Sequence, residues 1–353
     1  MSTANKSAVD RLSDALLVLV HASCLLVFIV PFSWTVVLLA LGGYLLRMWA
    51  VTAGFHRYFA HRSFKTSRLF QFVLALLGTT AMQNGPLWWA SWHRRHHKHS
   101  DTTLDPHSPI TRGLWHAHMG WVMEGTRETT DLSNVSDLSR YPEIRFLDDH
   151  TWMPLVGYAL ICFAIAGLPG LVWGFSVSTI LCSHATMLIN SLAHRWGSRR
   201  YETHDDSRNN ALLAALTLGE GWHNNHHYCM SSARQGFFWW EIDVSYYVIT
   251  MLSWLGVVWA VRAPPPSALL DHRAGRGRPR ARLASPAPPG TAGRGGHCTK
   301  MGFIPTSTEP CAMGPVLPAR SSHLVKLPLT LSACVPHTPP PQLSLVSQRT
   351  SAR

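Results

Sequence analysis

Twenty-one histidines in a chain of 353 residues carry the chemistry of this sequence. Most of them are grouped. His56 and His61 form an HxxxxH pair, while His93, His96, His97 and His223, His226, His227 each form HxxHH. Neutral imidazole is a good ligand for iron, zinc and copper. Residues i, i+3 and i+4 share a helix face, so each HxxHH is expected to bring three imidazoles to one point. Eight imidazoles exceed one coordination sphere and imply two metals. His194 supplies a ninth ligand, and Asn190, one turn earlier, can hold a metal-bound water. Other metal architectures fit worse. HExxH is absent, which removes the zinc-peptidase arrangement. A four-helix di-iron carboxylate site needs two Glu-x-x-His repeats, and only Glu220 to His223 matches. Two redox metals with open positions are suited to binding O2 and generating an oxidant that attacks an unactivated carbon. Asp101 and Glu220 are placed to orient ligand imidazoles through their second nitrogens. His21 and His184 lie in apolar runs and read as hydrogen-bonded core residues. His99, His107, His116 and His118 read as support for the site, and His150 and His204 as surface groups.

The elements that must position these ligands are apolar. Residues 15–46 contain no formal charge and are divided by Pro31. A crossing needs about 20 apolar residues, so this stretch predicts two helices joined by a turn at 31–34, the second continuing to about residue 53. Residues 151–194 are also uncharged and are interrupted by Gly167-Leu168-Pro169-Gly170, which predicts a second hairpin. The segment between the hairpins, 55–151, holds 11 Lys and Arg. The positive-inside rule puts it in the cytoplasm and the two uncharged turns on the far side. Residues 69–81 are too short to cross and predict a cytoplasmic or half-buried helix. Residues 246–261 predict an interfacial one. The first apolar run reads as a retained anchor, not a cleaved leader. The fold class expected is an all-α integral membrane protein, with four transmembrane helices in two hairpins and a cytoplasmic helical cap holding a dinuclear metal site.

The net charge of +12 points at first to a nucleic-acid partner. Its distribution does not. Residues 264–353 hold 11 of the 31 basic groups, 2 of the 19 acids and 16 of the 23 prolines, so they carry +9 of the total. Residues 1–263 are nearly balanced at +3. The division expected is therefore a membrane-embedded domain over 1–263 and a basic, Pro/Arg-rich tail over 264–353 that lacks the apolar content to fold. No nucleic acid is expected as a partner. None of the seven cysteines forms a CxxC pair, so neither a zinc ribbon nor a disulfide framework is indicated.

The sequence resembles the membrane-bound fatty-acid desaturases, and within them the acyl-CoA Δ9 (stearoyl-CoA type) branch, over roughly residues 12–262. The resemblance is carried by Thr52-Ala53-Gly54-Phe55-His56-Arg57-Tyr58-Phe59-Ala60-His61, His93-Arg94-Arg95-His96-His97-Lys98-His99-Ser100-Asp101 with Asp105-Pro106-His107, Asn190-Ser191-Leu192-Ala193-His194, and Gly219-Glu220-Gly221-Trp222-His223-Asn224-Asn225-His226-His227. It implies a di-iron centre on the cytoplasmic side, with the nine histidines His56, His61, His93, His96, His97, His194, His223, His226 and His227 as ligands and Asn190 holding a water. It implies a reaction in which O2 and two electrons place a cis double bond in a saturated acyl thioester. Gln83, Asn84, Trp89 and, more weakly, Thr186 are the substrate-binding positions it carries over. Trp92 stands where the family has an acid, a departure that bears on recognition of the CoA or headgroup. Neither a His-Pro-Gly-Gly haem element nor a CxxC rubredoxin-like unit is present. A separate cytochrome b5-, ferredoxin- or rubredoxin-type donor is therefore expected, acting on a multi-pass protein of the lipid bilayer (the inner membrane, in a bacterium).

Tyr44 and Met48 precede His56 by 12 and 8 residues, roughly 18 and 12 Å along one helix. Spaced i, i+4, they are candidates to cap a tunnel holding the methyl end of the chain. A membrane hydroxylase of alkyl or lipid substrates is the nearest alternative. A metal transporter is the alternative of another class, but it would place its ligands mid-span, whereas these lie at and beyond span ends.

Overall fold

The computed structural model describes residues 8–124 and 130–271. The tail expected over 264–353 lies outside the described residues from 272 onward. The fold is mostly helical. Its helices are α1 (Ala8–Ser23), α2 (Trp34–Trp49), α3 (Arg68–Thr79), α4 (Pro86–His99), α5 (Trp121–Met123), α6 (Ser136–Ser139), α7 (Pro142–Asp149), α8 (Trp152–Pro169), α9 (Ser178–Leu192), α10 (Ala211–Leu216), α11 (His223–Tyr228), α12 (Val244–Trp254) and α13 (Pro266–Asp271). One expectation needs correction: the chain is not purely helical. Lys65–Thr66 (β1) pairs antiparallel with Val258–Trp259 (β2), Lys65 opposite Trp259. The interfacial helix expected to reach residue 261 therefore stops at Trp254.

Among the described residues, three helices are long and apolar enough to cross a membrane: Arg11–Phe28, Trp34–Ala60 and Trp152–Leu192. The first two are separated by a short turn. Ser33 caps the second by accepting a hydrogen bond from the Val36 amide, the role short polar side chains play at helix starts. The third is 41 residues long, about twice what a bilayer core needs. It is broken at Ala166 (φ −144°, ψ 25°) and Gly167 (φ 57°, ψ −145°). Only glycine adopts the latter conformation readily. The Tyr158 hydroxyl donates to the Gly174 carbonyl at 2.9 Å, although sixteen residues of straight helix would separate them by about 24 Å. The chain thus reverses, and the long element is two apolar arms. Helix α3 has 12 residues, about 18 Å, short of a crossing.

One core joins the inner end of the second long helix to α3, α4, α7 and α12. Phe55, Phe59, Leu74, Leu87, Ile144 and Ile249 are all buried in it. Past residue 263, Ala268 of α13 is buried against Tyr201 and Phe237, and its carbonyl accepts from the Tyr201 hydroxyl at 2.6 Å.

Candidate metal centre

Each histidine motif is held by a different local device. Beyond Trp49 the second long helix widens into a π-helix over Ala50–Ala60, a form that recurs at functional sites. There the His61 amide bonds the His56 carbonyl five residues back, at 3.2 Å. Residues five apart diverge by about 140° on an α-helix, but the wider turn stacks them. The two rings lie 4.9 Å apart. The HxxHH of α4 is aimed by its helix ends and flanks. Pro86 occupies the first turn, and Asp148 of α7 accepts from the Leu87 and Trp88 amides at 2.9 and 3.0 Å. Arg94 then pairs with Asp137 and donates to the Phe59 and Ala60 carbonyls, tying α4 to the π segment. In α11 the two asparagines inside HNNHH are fully buried. Asn224 accepts from the Arg200 and Tyr201 amides, and Asn225 donates to Glu241 and the Gln235 carbonyl. Arg57, also buried, joins the first motif to the third through Asp243 and Glu220.

These devices gather nine imidazoles into two sets. His56, His61, His93, His97 and His226 form one, and His96, His194, His223 and His227 the other. Within each set the ligating atoms lie within 4.8 Å of one another. The Nε2 atoms of His56 and His226 are 3.0 Å apart, and those of His61 and His93, His97 and His93, and His226 and His97 each 2.9 Å. In the second set, His194 and His223 approach to 3.0 Å. The expectation that each HxxHH converges on one point is corrected here. Positions i and i+4 serve one set and i+3 the other, because i+3 and i+4 diverge by about 100° around a helix. Each motif therefore bridges the two sets.

Carboxylates fix the outward nitrogens. The Nδ1 atoms of His194, His96 and His227 donate to Asp101 (2.8 Å), Asp105 (3.0 Å) and Asp205 (2.6 Å), and that of His56 pairs with Glu220, which Gln235 also contacts. A proton held at Nδ1 leaves a lone pair at Nε2. The Nε2 of His227 is buried with no hydrogen-bond partner. Lone pairs converging in a buried space suit a cation and little else, so the donor set fits metal ions in both places. Electrostatics agree. Burial first, then the neighbouring imidazoles, drives His61, His93, His97, His223 and His226 well below the ordinary value of 6.5. Burial also lowers His227, to about 4 against the pull of Asp205. At neutral pH these imidazoles are neutral, the form that can bind a metal. Only His96 is raised, since Asp105, Asp101 and Asp205 together outweigh its burial.

A cavity is lined by His56 and His93 of the first set and by His96 and His223 of the second. Its walls include Met48, Thr52, Trp89, Thr186, Asn190 and Thr217. A family model described as fatty acid desaturase matches residues 32–243, three fifths of the chain. The chain belongs to the fatty acid desaturase family. It is 41% identical over 220 residues to an acyl-CoA C20 Delta5-desaturase of Anemone leveillei, covering 62% of this chain and 70% of that one. It is 38% identical over 251 residues to Delta-9 acyl-lipid desaturase 1 of Arabidopsis thaliana (70% and 82% covered) and 38% over 255 residues to an sn-1 stearoyl-lipid 9-desaturase of Synechocystis sp. (71% and 80%). The names of these relatives span two bond positions and two acyl carriers.

In this desaturase-family chain the substrate candidates from sequence fall in distinct places. Trp89 stacks on His93, rings 4.8 Å apart and 19° from parallel, and its Nε1 donates to Gln83. Gln83 donates in turn to Thr186 at 3.0 Å, clamping the loop before α4 to α9 across the cavity. Met48 is fully buried in the cavity wall, and Tyr44 packs against its cluster with its hydroxyl on the Leu216 carbonyl at 2.5 Å. Of the six candidates, Met48, Trp89 and Thr186 line the cavity and Tyr44, Gln83 and Asn84 do not, Asn84 having a left-handed backbone at φ 62°. Trp92 faces away from the cavity and packs on Trp88 and Trp121. Asp105, Asp205 and Gln235, which hold ligand imidazoles, follow no spacing rule. Asp105 does lie in the Asp105-Pro106-His107 motif, nine residues past His96.

Proposed function

We propose that the chain uses O2 and two electrons to place a cis double bond at the Δ9 position of a saturated fatty acyl chain carried as a CoA thioester. The observation that carries this is the pair of all-imidazole sets lining one largely apolar cavity. His56, His61, His93, His97 and His226 would hold one iron. His96, His194, His223 and His227 would hold the other, with Asn190 retaining a water. Bound there, iron supplies the O2-derived oxidising power that an unactivated methylene requires. The chain's own residues do the rest. The carboxylates keep Nδ1 protonated and each Nε2 facing inward. Burial keeps bulk water from the reacting carbons. Trp89 and the Gln83–Thr186 clamp set the path of the acyl chain past the histidines, and Met48 receives its methyl end.

The same proposal includes four spans: the first two long helices and the two arms of the third, with the histidines on the cytoplasmic side of the bilayer and a separate electron carrier docking there. The test uses membranes from cells expressing the full chain, supplied with isotopically labelled saturated acyl-CoA or labelled phospholipid. Labelled Δ9-monounsaturated acyl product from the CoA ester is the expected result. Product arising only from the phospholipid reassigns the carrier, and an alcohol in place of an alkene overturns desaturation.

A further inference from the structure

Arg47 lies in the middle of the long apolar helix Trp34–Ala60 and is only 1% exposed. An arginine at that depth is costly and calls for a reason. Its hydrogen-bond acceptors are neutral oxygens drawn from three segments. Nε donates to the Gly43 carbonyl on its own helix at 3.0 Å. Nη1 donates to the Thr80 carbonyl at the end of α3 (3.2 Å) and to Thr179 Oγ1 at the start of α9 (2.6 Å), and Nη2 donates to Ser178 Oγ. The guanidinium sits 4.3 Å over the Tyr158 ring of α8.

Two of these segments also line the cavity, through Met48, Val51 and Thr52 on the helix of Arg47 and Thr186, Ile189 and Asn190 on α9. Met48, next to Arg47, lines the cavity and packs with Val51, Ala81, Cys182 and Ala185. Ala81 follows Thr80, and Cys182 lies one turn past Ser178. The planar fork of arginine offers five donors in fixed directions, so one side chain sets the spacing of α2, α3 and α9 at once. We propose that Arg47 is a positioning residue that fixes the depth of the acyl pocket, and so the chain length accepted, by pinning the helix that carries Met48 to α9 and to the end of α3. This rests on the acyl-desaturase activity proposed above.

The test compares the full-length wild type with Arg47→Lys, Arg47→Met and the pair Ser178→Ala/Thr179→Val in a desaturase-deficient host, reading the chain lengths of the unsaturated products by mass spectrometry. Arg47→Met fills the volume without donors. It is expected to raise the share of products longer or shorter than the wild-type ones by roughly tenfold, the selectivity a pocket wall exerts per methylene or so. Arg47→Lys should restore most of the wild-type profile. If Arg47→Met yields no product, the Ser178/Thr179 pair decides by the same readout. An unchanged profile from whichever of these makes product overturns the inference, as does loss of product from all variants, which would make Arg47 a folding requirement alone. A wild type that makes no unsaturated product instead overturns the desaturase activity, and this inference with it.

Discussion

Asp205 shows how much one carboxylate off the metal set can govern. It accepts from His227 Nδ1 at 2.6 Å, and the His227 imidazole holds the Asp205 carboxyl far below the usual carboxylate range although burial pushes it up. Asp205→Asn keeps the shape and loses the charge. It is expected to lower metal affinity roughly 10- to 100-fold, as outer-shell partners of ligand histidines do. Metal content of the purified variant under graded chelation checks this, and wild-type retention would contradict it. Met48→Ala, in the cavity wall, should lengthen the preferred acyl chain; unchanged product lengths would dismiss Met48 as the limit on chain length. Eight of the nine clustered histidines were legible because their spacing is local, within five residues; His194 stands alone in the sequence. Asp205 and Gln235 were not, because the folded chain brings them to their imidazoles from 22 and 179 residues away.

At the scale of elements, the site depends on helix ends and an unusual turn. Asp148 serves the start of α4 from outside, and Gly85 leaves no room for a side chain there: an added Cβ would come 2.2 Å from Asp148 Oδ1. Asp148→Ala would leave two amides of α4 without partners, a loss of about 2 kcal/mol, measurable by thermal unfolding in detergent; equal stability would show the cap to be idle. The apo protein should also lose stability as pH falls. The histidines with lowered pKa bind fewer protons folded than unfolded, so stability declines as pH drops below about 6.5. His96, raised, acts in the opposite sense but is one group against several. The melting temperature of metal-stripped protein should therefore be lower at about pH 5.5 than at pH 7.5; a flat or inverted trend contradicts the buried, neutral imidazoles. The hairpin breaks at Pro31 and Gly167 could be read from charge and turn residues. The π-helix could not, since HxxxxH spacing alone does not distinguish it from a loop leaving an α-helix.

For the molecule as a whole, the apolar runs marked where the three long apolar helices lie. They did not show that residues beyond 263 pack on the rest. Pro and charge counts divide the sequence at 263, yet Tyr201 reaches past that point to Ala268. A chain truncated after residue 271 should unfold at a higher temperature than one truncated after 263; identical melting would make α13 dispensable. Four spans predict that single cysteines introduced at Pro31 and Leu168, in a cysteine-free background, react with an impermeant thiol reagent in intact cells. A cysteine at Ser139 should react only after permeabilisation, and the reverse pattern would invert the topology. The central claim is that both imidazole sets act in making an alkene. It is tested most directly by mass spectrometry of the fatty acids in a desaturase-deficient host expressing the full chain, His226→Ala or His227→Ala, one ligand from each set. Monounsaturated Δ9 product from the wild type and none from either variant is the predicted result; undiminished product from either variant would contradict it.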